Sequence, residues 1–272
     1  MSKNIVSGML RGGLYTRVVG RRLIYFRHLA STMDEAARMA QEGTETGTVV
    51  LAEEQSAARG RFRRQWVSPP GNLHISVVLR PSTEVLRYLS IMSGVAVVRA
   101  IRKATGIRST IKWPNDVMIG GKKVCGILVE NTLRGDTVQH SVLGIGVNVT
   151  FDPSAVDELS GKATSLNQEA GTEVDPEALL RHLLQELDNL YLPLRQARGA
   201  PTDIAGSKPV IEEWRGLLET LGKRVEVTWV EDVYRGYAED VDDAGNLLLR
   251  LEDGSVATLP AGEVTLAKRA QT

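Results

Sequence analysis

KVCGILVENTLRGDTVQHSVLGIGVNV, residues 123–149, reads as two apolar runs folded back on each other. The runs at 123–130 and 138–149 flank Arg134-Gly135-Asp136, a turn-type tripeptide, and that spacing predicts an antiparallel hairpin. The second run carries Gly144-Ile145-Gly146-Val147-Asn148-Val149, with glycine at every second position. Since alternate residues of a strand share a face, the two missing side chains would open a flat slot in which a ring can lie against backbone. A tight sheet corner would account for the same pair of glycines.

Working outward, 72–79 sets Leu73, Ile75, Val77 and Leu79 against His74, Ser76 and Val78, the pattern of a half-buried strand. Residues 48–52 are a short buried-type strand, and 14–19 and 23–29 are strand-like pieces broken by Gly20-Arg21-Arg22. A helix opens at Ser31-Thr32-Met33-Asp34-Glu35, where Thr32 and Glu35 have the spacing of a capping box. Its Ala36, Ala37, Met39 and Ala40 form a small-residue face, and Gly43 supplies the stop. Further helices are expected at 85–105, stopped by Gly106, from Asp175-Pro176 onward through Leu179, Leu183, Leu187 and Leu190, and at 211–221. The Pro/Gly/Ala-rich stretch 198–208 reads as a surface loop. From Gly222 short alternating runs separated by Asp-Asp-Ala-Gly and Glu-Asp-Gly turns predict a small antiparallel barrel.

The chain has 272 residues, enough for one large domain plus a small appendage, expected at 1–221 and 222–272. Lys+Arg and Asp+Glu both number 33, so a general polyanion-binding surface is not expected and any basic cluster is local. Cys125 is the single cysteine, which excludes an internal disulfide and fits a small buried hydrophobe in a reduced setting. His28, His74, His140 and His182 share no ligand spacing with it, so no structural zinc is expected, and metal ligands stay unassigned. No apolar run is long enough to span a bilayer and no signal peptide opens the chain; a cytoplasmic protein without membrane partners is expected.

Three more clusters bear on chemistry. Ala58 to Trp66, ARGRFRRQW, holds Arg59, Arg61, Arg63 and Arg64, with no acid between Glu54 and Pro70 to neutralise them. Guanidinium groups suit phosphate or carboxylate, Gly60 lets the backbone approach a ligand, and Trp66 can stack on a flat ring. Unpaired, these arginines would repel one another and keep the loop mobile until an anion arrives, although a charge run in isolation more often just faces water. Lys112, at a strand end held by Trp113-Pro114-Asn115-Asp116, is a positioned ammonium able to neutralise charge on reacting oxygens. Ser31 and Thr32 at a helix start could bond a small polar ligand or simply cap the helix.

Taken in order, Ser31-Thr32, Gln55 with the Arg-Gly-Arg loop ending in Trp66, Lys112-Trp113-Pro114-Asn115-Asp116, Gly126-Ile127-Leu128-Val129-Glu130 and Gly144-x-Gly-Val-Asn resemble the biotin protein ligases. The resemblance covers about 14–195, and the terminal barrel fits it too. It implies an α+β fold: a mixed, largely antiparallel sheet flanked by helices, of class II synthetase-like type, plus a small SH3-like β-barrel. It implies ATP-dependent biotinylation of a lysine on a biotin carboxyl carrier protein through biotinyl-5′-AMP, with Mg²⁺ accompanying ATP. Ser31, Thr32, Met33 and Gln55 would meet the biotin head, and Gly144 and Gly146 would lie along its rings. Arg59, Gly60 and Arg61 would close over the valeryl chain and acyl-phosphate, and Lys112 would hold the reacting oxygens, with Lys112 and Arg61 catalytic. Arg59, Arg61, Arg64, Trp66, Lys112 and Asn148 would serve the nucleotide.

Ala58 and Arg63 stand where the family loop commonly has glycine, so a positive φ at either would cost about 1 kcal/mol. Met33 stands where asparagine is frequent. No DNA-binding helix-turn-helix precedes the first strand, so a monofunctional ligase without DNA binding is expected, and a homodimer is possible through an exposed sheet edge. Two other readings are kept: a ligase of the same fold for lipoate or another short acid, and a non-catalytic biotin-binding or carrier-docking protein.

Overall fold

A computed structural model describes residues 14–196 and 206–266. Seven strands form the main sheet: β1 (Arg22–Leu29), β2 (Thr48–Gln55), β3 (Leu73–Leu79), β4 (Thr110–Lys112), β5 (Asp116–Ile119), β6 (Lys122–Arg134) and β7 (Thr137–Val147). Their order is β1-β2-β3-β7-β6-β5-β4, with β1 and β2 parallel and every other neighbour antiparallel. The hairpin read from 123–149 is therefore the centre of the sheet, with Gly126 opposite Gly146 and Leu128 opposite Gly144.

Helices cover both faces. On one, α1 (Thr32–Gln41) sets Met33, Ala36, Met39 and Ala40 against Val50, Val78 and Val142. On the other lie α2 (Leu86–Thr105), α4 (Pro176–Gln196) and α5 (Ser207–Leu217), packed over Leu73, Ile75, Val77, Ile127 and Ile145; α3 (Leu166–Ala170) is a single short turn. This sandwiching corrects the half-buried reading of 72–79: every residue of β3 is buried, because its polar-looking face is roofed by α1. Asp188 on α4 is buried and accepts the backbone N–H groups of Arg17, Val18 and Val19 at 2.7, 2.8 and 2.8 Å. Those amides are thereby withdrawn from any ladder, and residues 14–19 form bends and turns instead of the expected strand.

Other boundaries shift for local reasons. Ser31, not Thr32, caps α1: it is extended at φ −156°, and its Oγ accepts the Asp34 N–H at 3.3 Å. Asp175 caps α4 as expected, accepting the Glu177 N–H at 2.9 Å. The last helix spans Ser207–Leu217 rather than 211–221, because Leu218 turns extended and the next residues run beside β4. There the Glu219 N–H reaches the Ile111 carbonyl at 2.9 Å, and Thr220 Oγ1 accepts the Trp113 N–H at 2.9 Å. The expected loop at 198–208 falls mostly outside the described residues. Cys125 is fully buried, and burial pushes its thiol pKa up.

The second unit is antiparallel throughout: β8 (Arg224–Trp229), β9 (Asp232–Val241), β10 (Leu247–Leu251), β11 (Val256–Leu259) and β12 (Glu263–Leu266), in the order β11-β10-β9-β8-β12. This is the small SH3-like barrel. Its core continues into that of the main sheet through Trp113 and Trp214, and Trp113 Nε1 donates to the Gly245 carbonyl at 3.0 Å. Among the described residues no helix is long and apolar enough to cross a membrane.

Candidate active site

A cavity of about 250 Å³ opens where the C-terminal ends of β1 and β2, the middle of the hairpin, the 58–66 loop and β12 meet. Its floor is the sheet face carrying Gly126, Gly144 and Gly146, and its polar end is the start of α1. Here Gln55 Oε1 accepts both the Thr32 N–H at 2.8 Å and the Thr32 hydroxyl at 3.0 Å. Ser76 donates to Thr32 Oγ1 at 2.8 Å and Gln55 Nε2 donates to Ser68 Oγ at 3.0 Å, so the cluster is preorganised from four separate elements.

The glycine slot exists, but side chains from the opposite wall fill it. A Cβ at Gly144 would stand 2.5 Å from Met33 Sδ, and one at Gly146 would stand 2.6 Å from Trp66 Nε1. Trp66 thus lies on the floor, reaching Gly126 as well, with the Lys123 ammonium 5.4 Å from its ring centroid. Lys123 in turn pairs with Asp116 at 2.6 Å.

The arginine loop is not left unpaired. Acids distant in sequence reach it: Arg59 is bound bidentately by Glu130 at 2.9 and 3.1 Å and by Asp34 at 2.6 Å, and Arg64 is bound by Glu263 of β12. The Glu130 contact holds the Arg59 pKa above its ordinary value, and Arg64 holds the Glu263 carboxyl below the usual carboxylate range. Arg61 differs. Among the described residues its guanidinium donates to neutral acceptors alone, the Gly262 carbonyl at 3.0 Å and Asn115 Oδ1 at 3.4 Å, and desolvation pulls its pKa down. Phe62 and Arg63 both have φ +56°, so the left-handed geometry that favours glycine falls on Arg63 and not on Ala58.

Lys112 lines the cavity at the end of β4. The corner after it is buried and tied down: Trp113 is 1% exposed, and the Asn115 amide donates to the Ile127 carbonyl. Of the residues singled out by sequence for the site, Asn148 lies outside the cavity lining, as does Arg63 of the loop. Asn148 is buried beyond the end of β7, its amide donating to the Thr164 carbonyl at 3.1 Å. Sequence reasoning passed over Lys123, Asp116, Asp34, Glu130 and Glu263. Asp116 and Glu130 sit inside quoted motifs and could have been noticed there. Asp34 too lies in a quoted motif, at the helix start; Glu263 carries no local signal, since only the fold brings it to the loop.

His74, opposite Gly146 on β3, is buried, and burial pushes its imidazole pKa down to about 4. Among the described residues neither histidine nor cysteine lines the cavity. A pocket that gathers cations over a bare backbone floor, with no such side chain to form a covalent intermediate, is suited to joining two anionic substrates. That is the character of a ligase.

Comparison with known proteins agrees. The pattern of the biotin/lipoate A/B protein ligase family matches residues 25–148, and that of the biotin protein ligase C-terminal domain matches 220–266. A bifunctional ligase/repressor, BirA, of Bacillus subtilis is 37% identical over 249 residues, covering 90% of this chain and 74% of the relative. The biotin–[acetyl-CoA-carboxylase] ligase of Paracoccus denitrificans is 37% identical over 240 residues, covering 86% of this chain and 96% of the relative. The structure of the biotin protein ligase of Aquifex aeolicus in complex with biotin and ATP superposes with a TM-score of 0.75 at 27% identity, over 91% of this chain and 99% of that one. The chain belongs to the biotin protein ligase family.

Proposed function

We propose that this ligase activates biotin with ATP and passes the biotinyl group to a lysine of a carboxylase carrier domain. The observation that carries the reading is Arg61, a desolvated guanidinium bound only by neutral acceptors, beside Lys112 in one cavity. A cation removed from water and held by no carboxylate gains most when an anionic ligand arrives.

In the first step a biotin carboxylate oxygen attacks the α-phosphorus of ATP, and the bond to the β-phosphate bridge oxygen breaks, releasing pyrophosphate. Two like charges brought to about 4 Å repel by about 4 kcal/mol at the effective dielectric near a protein surface. Lys112 and Arg61 offset that repulsion, while Arg59 and Gly60 close over the acyl-phosphate and keep water from it. In the second step the carrier's lysine amine attacks the acyl carbon, AMP leaves, and the amine's proton passes to solvent.

Ser31, Thr32 and Gln55 would meet the ureido head, with Met33 and the Gly144–Gly146 floor along the rings. Arg64 and Trp66 would serve the nucleotide side, Trp66 leaving the floor as the ring system enters. Asn148, committed to Thr164, would support that side by fixing the end of β7. Among the described residues no cluster of three or more His, Cys, Asp or Glu could hold a metal. We place Mg²⁺ with ATP's phosphates, which it would bridge and neutralise. We assign residues 1–221 to catalysis and 222–272 to the barrel, and place the enzyme in the cytoplasm.

Biotin-dependent exchange of labelled pyrophosphate into ATP, followed by transfer of labelled biotin to a purified carrier domain, tests the reading. Exchange supported by lipoate and not by biotin would overturn the substrate. Tight biotin binding without biotinyl-AMP would overturn the activity.

A further inference from the structure

At the opposite end of β1 and β2, roughly 25 Å along the strands from the cavity, lies a second concavity of about 310 Å³. Arg17, Arg21, Arg22, Arg80 and Arg195 line it with a single acid, Glu45, an excess of four positive charges in a chain whose net charge is zero. Several arginines elsewhere on this molecule find carboxylates, as Arg59, Arg64, Arg99, Arg235 and Arg250 do. Among the described residues none of these five is in an ion pair with a carboxylate.

The walls are built rather than incidental. Asp188 clamps the amides of Arg17, Val18 and Val19, fixing the segment that presents Arg17, Arg21 and Arg22. Gly20, at φ +88°, donates its N–H to the Gly47 carbonyl at 2.8 Å, and a Cβ on Gly47 would stand 2.0 Å from the Val18 carbonyl oxygen. Only glycine permits that close approach. Arg80 is pinned by three backbone carbonyls, those of Gln139, Ala40 and Thr44, at 2.7, 2.8 and 3.1 Å. Those acceptors orient its guanidinium and leave its charge uncompensated.

Guanidinium groups arriving from three separate segments on one small concavity match an anion with several adjacent oxygens and more than one charge. We propose that this concavity is a binding site for a diphosphate group, free pyrophosphate or the diphosphate of a nucleotide, separate from the active-site cavity. A long polyanion would need an extended basic stripe, whereas these charges enclose a pocket.

The test is calorimetric titration of the full chain with inorganic pyrophosphate, in Arg21→Gln/Arg195→Gln and in Arg61→Gln, which alters only the first cavity. Arg21 and Arg195 are solvent-facing, and Arg17→Gln/Arg22→Gln provides a second, independent removal of two charges. The expected result is pyrophosphate binding weakened about tenfold or more in both double variants and retained in Arg61→Gln. Inorganic phosphate should bind wild type more weakly than pyrophosphate. ADP binding that weakens in the double variants identifies a nucleotide as a source, and loss confined to pyrophosphate identifies the free anion. Pyrophosphate binding lost in Arg61→Gln and unchanged in the double variants overturns the proposal. So does a short single-stranded DNA that binds wild type more tightly than pyrophosphate and is lost in the double variants. Because biotin adenylation plays no part in these readings, failure here is distinct from failure of the ligase assignment.

Discussion

The floor and the lid of the cavity are built on different physics. The floor is a seven-stranded sheet roofed by helices on both faces, and its corner at Trp113 is tied to Thr220 and Gly245. The lid, residues 58–66, has no buried residue in its turn at 61–63 and holds its place through side-chain charge pairs with Asp34, Glu130 and Glu263. Burial makes the floor insensitive to ligand; exposed ion pairs, each contributing about 1 kcal/mol or less, leave the lid free to exchange its carboxylates for a substrate's oxygens. The difference teaches that Lys112 is held on the rigid side, while Arg61 and the exclusion of water belong to the loose one.

Changing Lys112 should affect chemistry most. Lys112→Ala is expected to lower biotin adenylation by roughly a hundred- to a thousandfold with little change in thermal midpoint. Collapse of the fold instead would place Lys112 among structural residues. Trp113→Ala attacks the floor's corner: loss of a fully buried Trp is expected to cost about 3–5 kcal/mol, a fall of roughly 10 °C in melting temperature. A shift of a degree or two would mean that the corner is not a foundation.

His74 sharpens the same contrast through pH. The unfolded chain protonates it near 6.5, the folded chain only near 4, so the unfolded state binds more protons between those values. Stability from this group is therefore fully present above pH 6.5 and is lost as pH falls toward 4, by about 3 kcal/mol in all. His74→Gln should flatten that part of the wild-type curve of melting temperature against pH; parallel curves would show that His74 is not held neutral by the floor.

Gly146→Ala would push a methyl group into the Trp66 indole. It is expected to shift Trp66 fluorescence toward that of an exposed indole and to weaken biotin binding about tenfold. Unaltered emission would mean that the lid does not rest on the floor in solution. The smallest effect belongs to Arg63→Gly, which relieves about 1 kcal/mol of left-handed strain, partly offset by added freedom in the unfolded loop. Hydrogen exchange at the Gly60 and Trp66 amides, bonded to the Arg64 and Ala58 carbonyls, should slow about two- to threefold. Faster exchange would show that the loop is not strained at Arg63.

Much of this was legible beforehand. The hairpin, the helix stopped at Gly106, the Asp175 cap and the barrel each announced themselves through period, turn chemistry or capping, which are local signals. The failures share a cause. Residues 14–19 resembled a strand until Asp188, 169 or more positions away, took their amides. Residues 72–79 alternated as if one face were wet, because alternation records chemistry and not what α1 later lays on top. The end of α5 moved when residues 218–220 found β4 to run beside. At the site, Ser31, Thr32, Gln55, Arg59, Arg61, Lys112 and the two glycines gather in one cavity; Asn148 turns away, and the partners of the arginines were invisible.

By itself the sequence determined which groups could do chemistry: a strand-end lysine, a basic loop, a polar helix start and a floor stripped of side chains. These follow from residue type and spacing, which need no distant neighbour. Only the tertiary structure decided which charges are compensated. Arg59 and Arg64 are paired while Arg61 is desolvated beside neutral oxygens, and five other arginines converge where, among the described residues, none is paired with a carboxylate. Electrostatic compensation depends on distance and burial, and those are settled by how segments far apart in the chain pack together.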